Sequence, residues 1–67
     1  MNLQNMEYLI EISNCGSISA AAKRLFVTQP YLSKVLRETE KEYGLTIFTR
    51  GKNGIIPTES GRLFLDM

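Results

Sequence analysis

The chain has 67 residues, one cysteine, no histidine and a formal net charge of +1 at pH 7, which limits it to one small domain. The lone Cys15 cannot form an intrachain disulfide, and without histidine we expect no metal site, no catalytic residue, no cofactor and no enzymatic activity. The first residues lack the pattern of a signal peptide, and no apolar run approaches the ~20 residues that span a bilayer, so we expect a cytoplasmic protein without membrane contact.

The first predicted helix extends from about Asn2, which can cap its start, to Asn14. Gly16 suits the left-handed residue just past its end. Its apolar stripe at helical spacing consists of Leu3, Met6, Leu9, Ile10 and Ser13. Tyr8 and Ile12 lie away from this stripe. That pattern indicates either a broad core face or a second contact with a partner helix.

A short second helix and a tight turn are predicted next. Ser17 is the expected cap, with Ser19 as the alternative. The alanines at 20–22 favour a helix and let another helix approach closely. Phe26 and Val27 are then expected in the turn.

The third predicted helix explains why a proline interrupts the helical period of TQPYLSKVLRETEKEY. Thr28 can cap the helix, and Pro30 then lies in the first turn, where a missing N–H costs nothing. Gly44 closes the helix. At ~100° per residue, the core side holds Leu32, Leu36, Thr39 and Tyr43, with Val35 at its border. The opposite side holds Gln29, Pro30, Ser33, Lys34 and Arg37.

The charges are distributed unevenly along the chain. No acidic residue lies between Glu11 and Glu38, whereas four cations do: Lys23, Arg24, Lys34 and Arg37. A local positive field concentrates a polyanion at a surface even when net charge is small. Alone, the same pattern is also typical of an ordinary solvated face.

A hairpin and a fourth helix complete the prediction. The runs LTIFTR and IIP are joined by GKNG, which indicates two short strands with a basic tip. Thr58 can cap the fourth helix, with Glu59 at the positive end of the helix dipole. The segment TESGRLFLDM lacks a stop signal, so we expect a truncated helix. Its apolar residues suggest a pairing seam of Leu63, Phe64 and Leu65.

Three helices with a tight turn before the third, followed by a basic hairpin, describe a mainly α winged helix-turn-helix. The chain resembles the amino-terminal DNA-binding domain of LysR-type transcriptional regulators, through GSISAAAKRLFVTQPYLSKVLRETEKEYGLTIFTR and PTESG. The resemblance implies a winged helix-turn-helix domain at residues 1–57, with three helices and a two-stranded wing. It also implies that residues 58–67 begin a linker helix.

The resemblance implies sequence-specific binding of double-stranded DNA by a bacterial transcriptional regulator. The third helix would enter the major groove and the wing the neighbouring minor groove. The linker helix would pair subunits into a homodimer or a dimer of dimers, and a small-molecule effector would bind a domain that is absent here.

We expect the DNA contacts to come from the polar face of the third helix and from the wing, through Thr28, Gln29, Pro30, Tyr31, Ser33, Lys34, Arg37, Arg50 and Lys52. Glutamine can pair bidentately with adenine and lysine with guanine at the major-groove edge. Arg37 lies farther along the helix and suits a phosphate. Arg50 suits a narrow minor groove, although pairing with a nearby carboxylate is its alternative.

Three positions depart from the usual family pattern: Thr39, Tyr31 and Lys34. Thr39 stands on the core side, where the family mostly has an apolar residue, but threonine can bond back to its own helix. An alternative function is a winged helix for protein–protein contact, which an acidic or apolar recognition face would indicate.

Overall fold

The computed structural model describes residues 2–66. In that range it contains, in chain order, α1 (Leu3–Cys15), α2 (Ile18–Leu25), α3 (Gln29–Tyr43), β1 (Phe48–Gly51), β2 (Gly54–Pro57) and α4 (Glu59–Leu65). The two strands form one antiparallel sheet. The predicted mainly α fold with a two-stranded wing is confirmed.

Each helix begins after a residue whose side-chain oxygen accepts a hydrogen bond from a backbone N–H three positions later. These caps are the predicted ones: Asn2, Ser17, Thr28 and Thr58. Gly16 and Gly44 end α1 and α3 in the left-handed region, with φ of 68° and 65°. Phe26 ends α2 in the same region, with φ of 58°, and its side chain is 95% exposed.

The buried face of α1 differs from the predicted stripe. Tyr8, Leu9 and Ile12 are buried, whereas Leu3 is 77% and Ile10 38% exposed. The reason is that α1 contacts α2, α3, α4 and β2, so the buried sector is centred on Leu9 and its neighbours. Tyr8 and Ile12 therefore belong to a broad core face, and the alternative of a partner surface there is wrong.

The core side of α3 is also shifted slightly from the prediction. Leu32, Leu36 and Thr39 are buried as expected, and Val35, placed at the border, is buried with them. Tyr43 is 43% exposed, and its ring lies on Phe64 at 5.1 Å between centroids. The Thr39 hydroxyl donates to the Val35 carbonyl at 2.8 Å, which satisfies this buried polar group within its own helix.

The wing is attached to the helices at both of its strands. Ile47, immediately before β1, is fully buried, and its N–H donates to Glu40 Oε2 at 2.7 Å. On the other strand the Ile55 N–H donates to the Gly16 carbonyl at 3.0 Å. The hairpin is therefore held against both α3 and the turn between α1 and α2.

The last helix packs on the same core. The Thr58 N–H donates to the Ile47 carbonyl at 2.9 Å, and Phe64 is buried. Phe64 is therefore unavailable to the predicted pairing seam, whereas Leu63 is 68% exposed. None of the helices in residues 2–66 is long and apolar enough to cross a membrane.

Candidate nucleic-acid interface

The start of α3 forms an exposed polar platform. Thr28 accepts the Tyr31 N–H at 3.2 Å, which fixes the first turn. Thr28, Gln29, Pro30 and Tyr31 are all exposed, and Ser33 is half-buried one turn on. The buried side of the helix holds it on the core, so its polar side must face solvent.

Two cations extend this platform along α3. Lys34 and Arg37 are both exposed, and neither forms an ion pair within residues 2–66. Arg24 differs, because its Nε lies 3.0 Å from Glu11 Oε1. The cationic segment noted in the sequence is thus partly neutralised at Arg24, whereas Lys34 and Arg37 keep exposed, unpaired charges on α3.

The wing presents the other two predicted cations. Arg50 is exposed near the end of β1, and Lys52 is exposed in the turn between the Gly51↔Gly54 pair. In the described part of the chain no carboxylate pairs with Arg50, which leaves its guanidinium available to a partner.

A cleft of about 180 Å³ joins the two halves of this surface. Gln29 at the start of α3 and Arg50 of the wing both line it. The rest of its wall comes from the start of α2 and from β2: Gly16, Ser17, Ile18, Ser19, Gly54 and Ile55. The start of α3 and the wing therefore border one continuous concave surface.

Two residues outside the predicted set contact residues within it: Ser19, which also lines the cleft, and Tyr8. The Ser19 hydroxyl donates to Gln29 Oε1 at 2.8 Å. Tyr8 packs edge-to-face on Tyr31, with ring centroids 6.3 Å apart at 83°. The sequence indicates Tyr8 only for packing or a partner helix and Ser19 only as an alternative cap. Because Ser17 is the cap of α2, the cap does not use the hydroxyl of Ser19. This unused hydroxyl is the sequence signal that could have identified Ser19 as a site residue.

Two further features concern metal binding and thiol chemistry in the described residues. Residues 2–66 contain no group of three or more histidine, cysteine or acidic side chains that could hold a metal ion. Cys15 is half-buried and its Sγ donates to Glu11 Oε1 at 3.4 Å. Burial, and then Glu11, raise the pKa of the Cys15 thiol, which disfavours the thiolate that nucleophilic chemistry needs.

Comparison with known families identifies the fold. Residues 3–62 match the sequence model of the bacterial regulatory helix-turn-helix proteins of the lysR family. The chain belongs to the lysR family. The resemblance that the sequence suggested is therefore confirmed.

Relatives named as regulators are similar along nearly the whole chain. The HTH-type transcriptional regulator DgcR of a Pseudoalteromonas species is 41% identical over 66 residues, which cover 98% of this chain and 23% of DgcR. The nitrogen assimilation regulatory protein nac of Klebsiella aerogenes is 36% identical over 63 residues, covering 94% and 21%. The chain thus spans less than a quarter of the length of these relatives.

Solved lysR-family structures have the same fold. A crystal structure of a CbnR DBD–DNA complex matches with a TM-score of 0.90 at 33% identity, covering 98% of this chain and 76% of that one. A BenM DBD complex with catB site 1 DNA matches with a TM-score of 0.92 at 29% identity, covering 98% and 71%. Both neighbours were solved with DNA bound.

Proposed function

We propose that this chain binds double-stranded DNA in a sequence-specific manner, as the winged helix-turn-helix part of a bacterial transcriptional regulator. The start of α3 enters the major groove, and the wing enters the neighbouring minor groove. The observation that carries the proposal is the single concave surface that Gln29 and Arg50 share. A helix and a hairpin beside one cleft can follow adjacent grooves of one duplex.

The chemistry of the surface supports this assignment. Half to two-thirds of protein–DNA hydrogen bonds go to phosphate and sugar, and the remainder read base edges. Lys34, Arg37 and Arg50 are exposed cations without described carboxylate partners. Of these, Arg37 suits a phosphate, Arg50 suits the minor groove and Lys34, nearer the helix start, suits a base edge. Gln29 and Ser33 supply polar groups nearer the helix start, where a recognition helix reaches bases. Thr28, Pro30, Tyr31 and Lys52 complete the proposed contacts.

The DNA complexes of CbnR and BenM support the same reading. A protein–protein module, the alternative, would suit an acidic or apolar recognition face, and the exposed side of α3 is neither. The relatives are named as regulators, and we propose a non-enzymatic role that needs no cofactor.

The assembly of the whole protein belongs to the same proposal. We propose that residues 1–57 form the DNA-binding domain and that residues 58–67 begin a linker helix, through which subunits pair as a homodimer or a dimer of dimers. Leu63 on α4 and Leu3 on α1 are exposed apolar residues that such pairing would cover. An effector would act through a domain outside this chain.

The salt dependence of binding tests the proposal. Duplex binding releases counterions, so log K should fall linearly with log salt, by about 0.9 for each phosphate neutralised. Arg37→Ala should reduce this slope by about 1. Arg62→Ala is the matched control, because Arg62 lies on α4, which the proposal keeps off the DNA; its slope should equal that of the unchanged chain. Fluorescence anisotropy with labelled duplexes measures the salt dependence of binding for the unchanged chain and for each variant. An affinity that does not change with salt would refute the electrostatic contacts.

A further inference from the structure

Ser19 is a polar residue that the proposed DNA contacts leave out. It lies at the second position of α2, it is exposed, and Ser17 already caps that helix. Within residues 2–66, the one hydrogen bond of its side chain joins Oγ to Oε1 of Gln29 at 2.8 Å. The hydroxyl therefore restrains the first residue of the recognition helix.

We infer that Ser19 is a positioning residue that determines which base Gln29 selects, by fixing the orientation of the Gln29 amide. The inference rests on the proposed function, because it concerns base selection by the same surface. It adds a residue from α2 to the determinants of DNA sequence preference.

The chemistry of the amide supports this inference. A glutamine side chain has an acceptor oxygen and an NH₂ group with two donors. Because Ser19 donates to Oε1, the oxygen is directed towards α2. Nε2, on the opposite branch of the amide, is then the end available to DNA.

The two purines respond differently to an amide held in this way. Adenine needs both ends of the amide directed at one base edge, since Oε1 must accept from its N6 amino group while Nε2 donates to N7. Oε1 keeps a second lone pair, so it is the direction of the oxygen towards α2, and not its occupancy, that works against this pairing. Guanine presents two acceptors, N7 and O6, which suit the NH₂ donors. We therefore expect Gln29 to favour guanine over adenine for as long as Ser19 holds Oε1.

Removal of the hydroxyl should change this preference at one base pair. Sequences selected from a random duplex pool would be compared for the unchanged chain, Ser19→Ala and Ser19→Thr. We expect the unchanged chain and Ser19→Thr, which keeps a hydroxyl, to prefer guanine to adenine at one position by about three- to tenfold, the effect of one hydrogen bond. Ser19→Ala should lose that preference or shift it to adenine.

Gln29→Ala and the double variant Ser19→Ala/Gln29→Ala supply the control for mechanism. Both should show the same profile, with no purine preference at that position, because Ser19 acts through Gln29. If Ser19→Ala retained the guanine preference, or weakened binding to all sequences equally, the inference would be overturned. If the unchanged chain enriched no sequence at all, the proposed function itself would fail, and this result would appear before any variant is compared.

A second measurement tests the restraint without DNA. The chain contains two glutamines, Gln4 and Gln29, so loss of a signal in Gln29→Ala assigns its side-chain NH₂ resonances. Ser19→Ala should shift these resonances in the free chain, and Ser19→Thr should leave them near their original positions. Unchanged resonances in Ser19→Ala would overturn the inference. Because Ser19 and Gln29 are exposed, circular dichroism should be the same for every variant.

Discussion

Gly61 lies directly against the backbone of Ile47. A Cβ atom placed on Gly61 would be 2.9 Å from the Ile47 Cα and would overlap its carbonyl group. The same carbonyl accepts the Thr58 N–H, so the first turn of α4 is seated on the residue that precedes the wing.

We expect Gly61→Ala to destabilise the domain for this reason. The obstacle is backbone, which cannot move aside as a flexible side chain does, and overpacking of this kind typically costs about 1–3 kcal/mol. Ser60→Ala, at the exposed neighbouring position, should stay within about 0.5 kcal/mol. Urea unfolding compares the two variants, and equal midpoints would contradict this account of the contact.

Glu40→Ala should loosen the attachment of the wing. The variant leaves the N–H of the fully buried Ile47 without its acceptor, and an unsatisfied buried donor costs about 1–3 kcal/mol. We expect faster hydrogen exchange at the Ile47 amide. Glu38→Ala, at an exposed position on the same helix, should leave that exchange rate unchanged, and equal rates in both variants would show that the carboxylate does not hold the wing.

Phe26→Asn should stabilise the chain. Phe26 has φ of 58° and a side chain that is 95% exposed, so it bears a left-handed conformation without compensating burial. That conformation costs an ordinary L residue roughly 1–2 kcal/mol, and asparagine tolerates it better. We expect a gain of up to about 1 kcal/mol in thermal unfolding. Phe26→Leu keeps the cost of the left-handed conformation and should give no gain in stability. Equal stabilities of the Phe26→Asn and Phe26→Leu variants would argue against strain at this turn.

Lys34→Ala and Arg37→Ala should differ in their effect on DNA sequence preference. Lys34 lies nearer the start of α3, where side chains reach base edges, and a good base contact is worth ~1–3 kcal/mol of discrimination. Arg37 should weaken binding to all sequences alike. Competition against single-base variants of a selected site measures both, and identical profiles for the two substitutions would refute the division of roles.

Arg50→Ala should weaken binding most when A·T pairs flank the site. The narrow minor groove of A·T-rich DNA has enhanced negative potential, and a guanidinium is more weakly hydrated than an ammonium, so Arg50→Lys should restore affinity only in part. Lys52→Ala, at the exposed tip, should do less. Binding curves on matched A·T-flanked and G·C-flanked duplexes test this, and equal losses on both would make Arg50 a general phosphate contact.

The elements of the fold could be predicted because their ends are marked locally. Caps such as Thr28 and stops such as Gly44 act within a few residues, so the sequence alone contains the signal. The buried side of α1 could not be placed in the same way. Leu3 and Ile10 continue its apolar period, but burial depends on where the neighbouring elements lie, and those leave Leu3 uncovered.

The candidate site was predicted as a set of exposed residues but not as a geometry. The contacts of Ser19 with Gln29 and of Tyr8 with Tyr31 join different helices, and no periodicity within one helix indicates them. The ion pair of Arg24 with Glu11 likewise joins two different helices. Only the packing of α1 and α2 on α3 brings these side chains together.

The two outer edges of the wing have a consequence for self-association. In an antiparallel pair, alternate residues direct their N–H groups away from the partner strand. The Phe48 N–H donates to Glu40 and the Ile55 N–H to Gly16, while Pro57 has no N–H to offer. Exposed strand edges are templates for edge-to-edge aggregation. Most outward donors of this small sheet are therefore occupied or missing, and the wing can protrude from the protein without recruiting strands from other molecules.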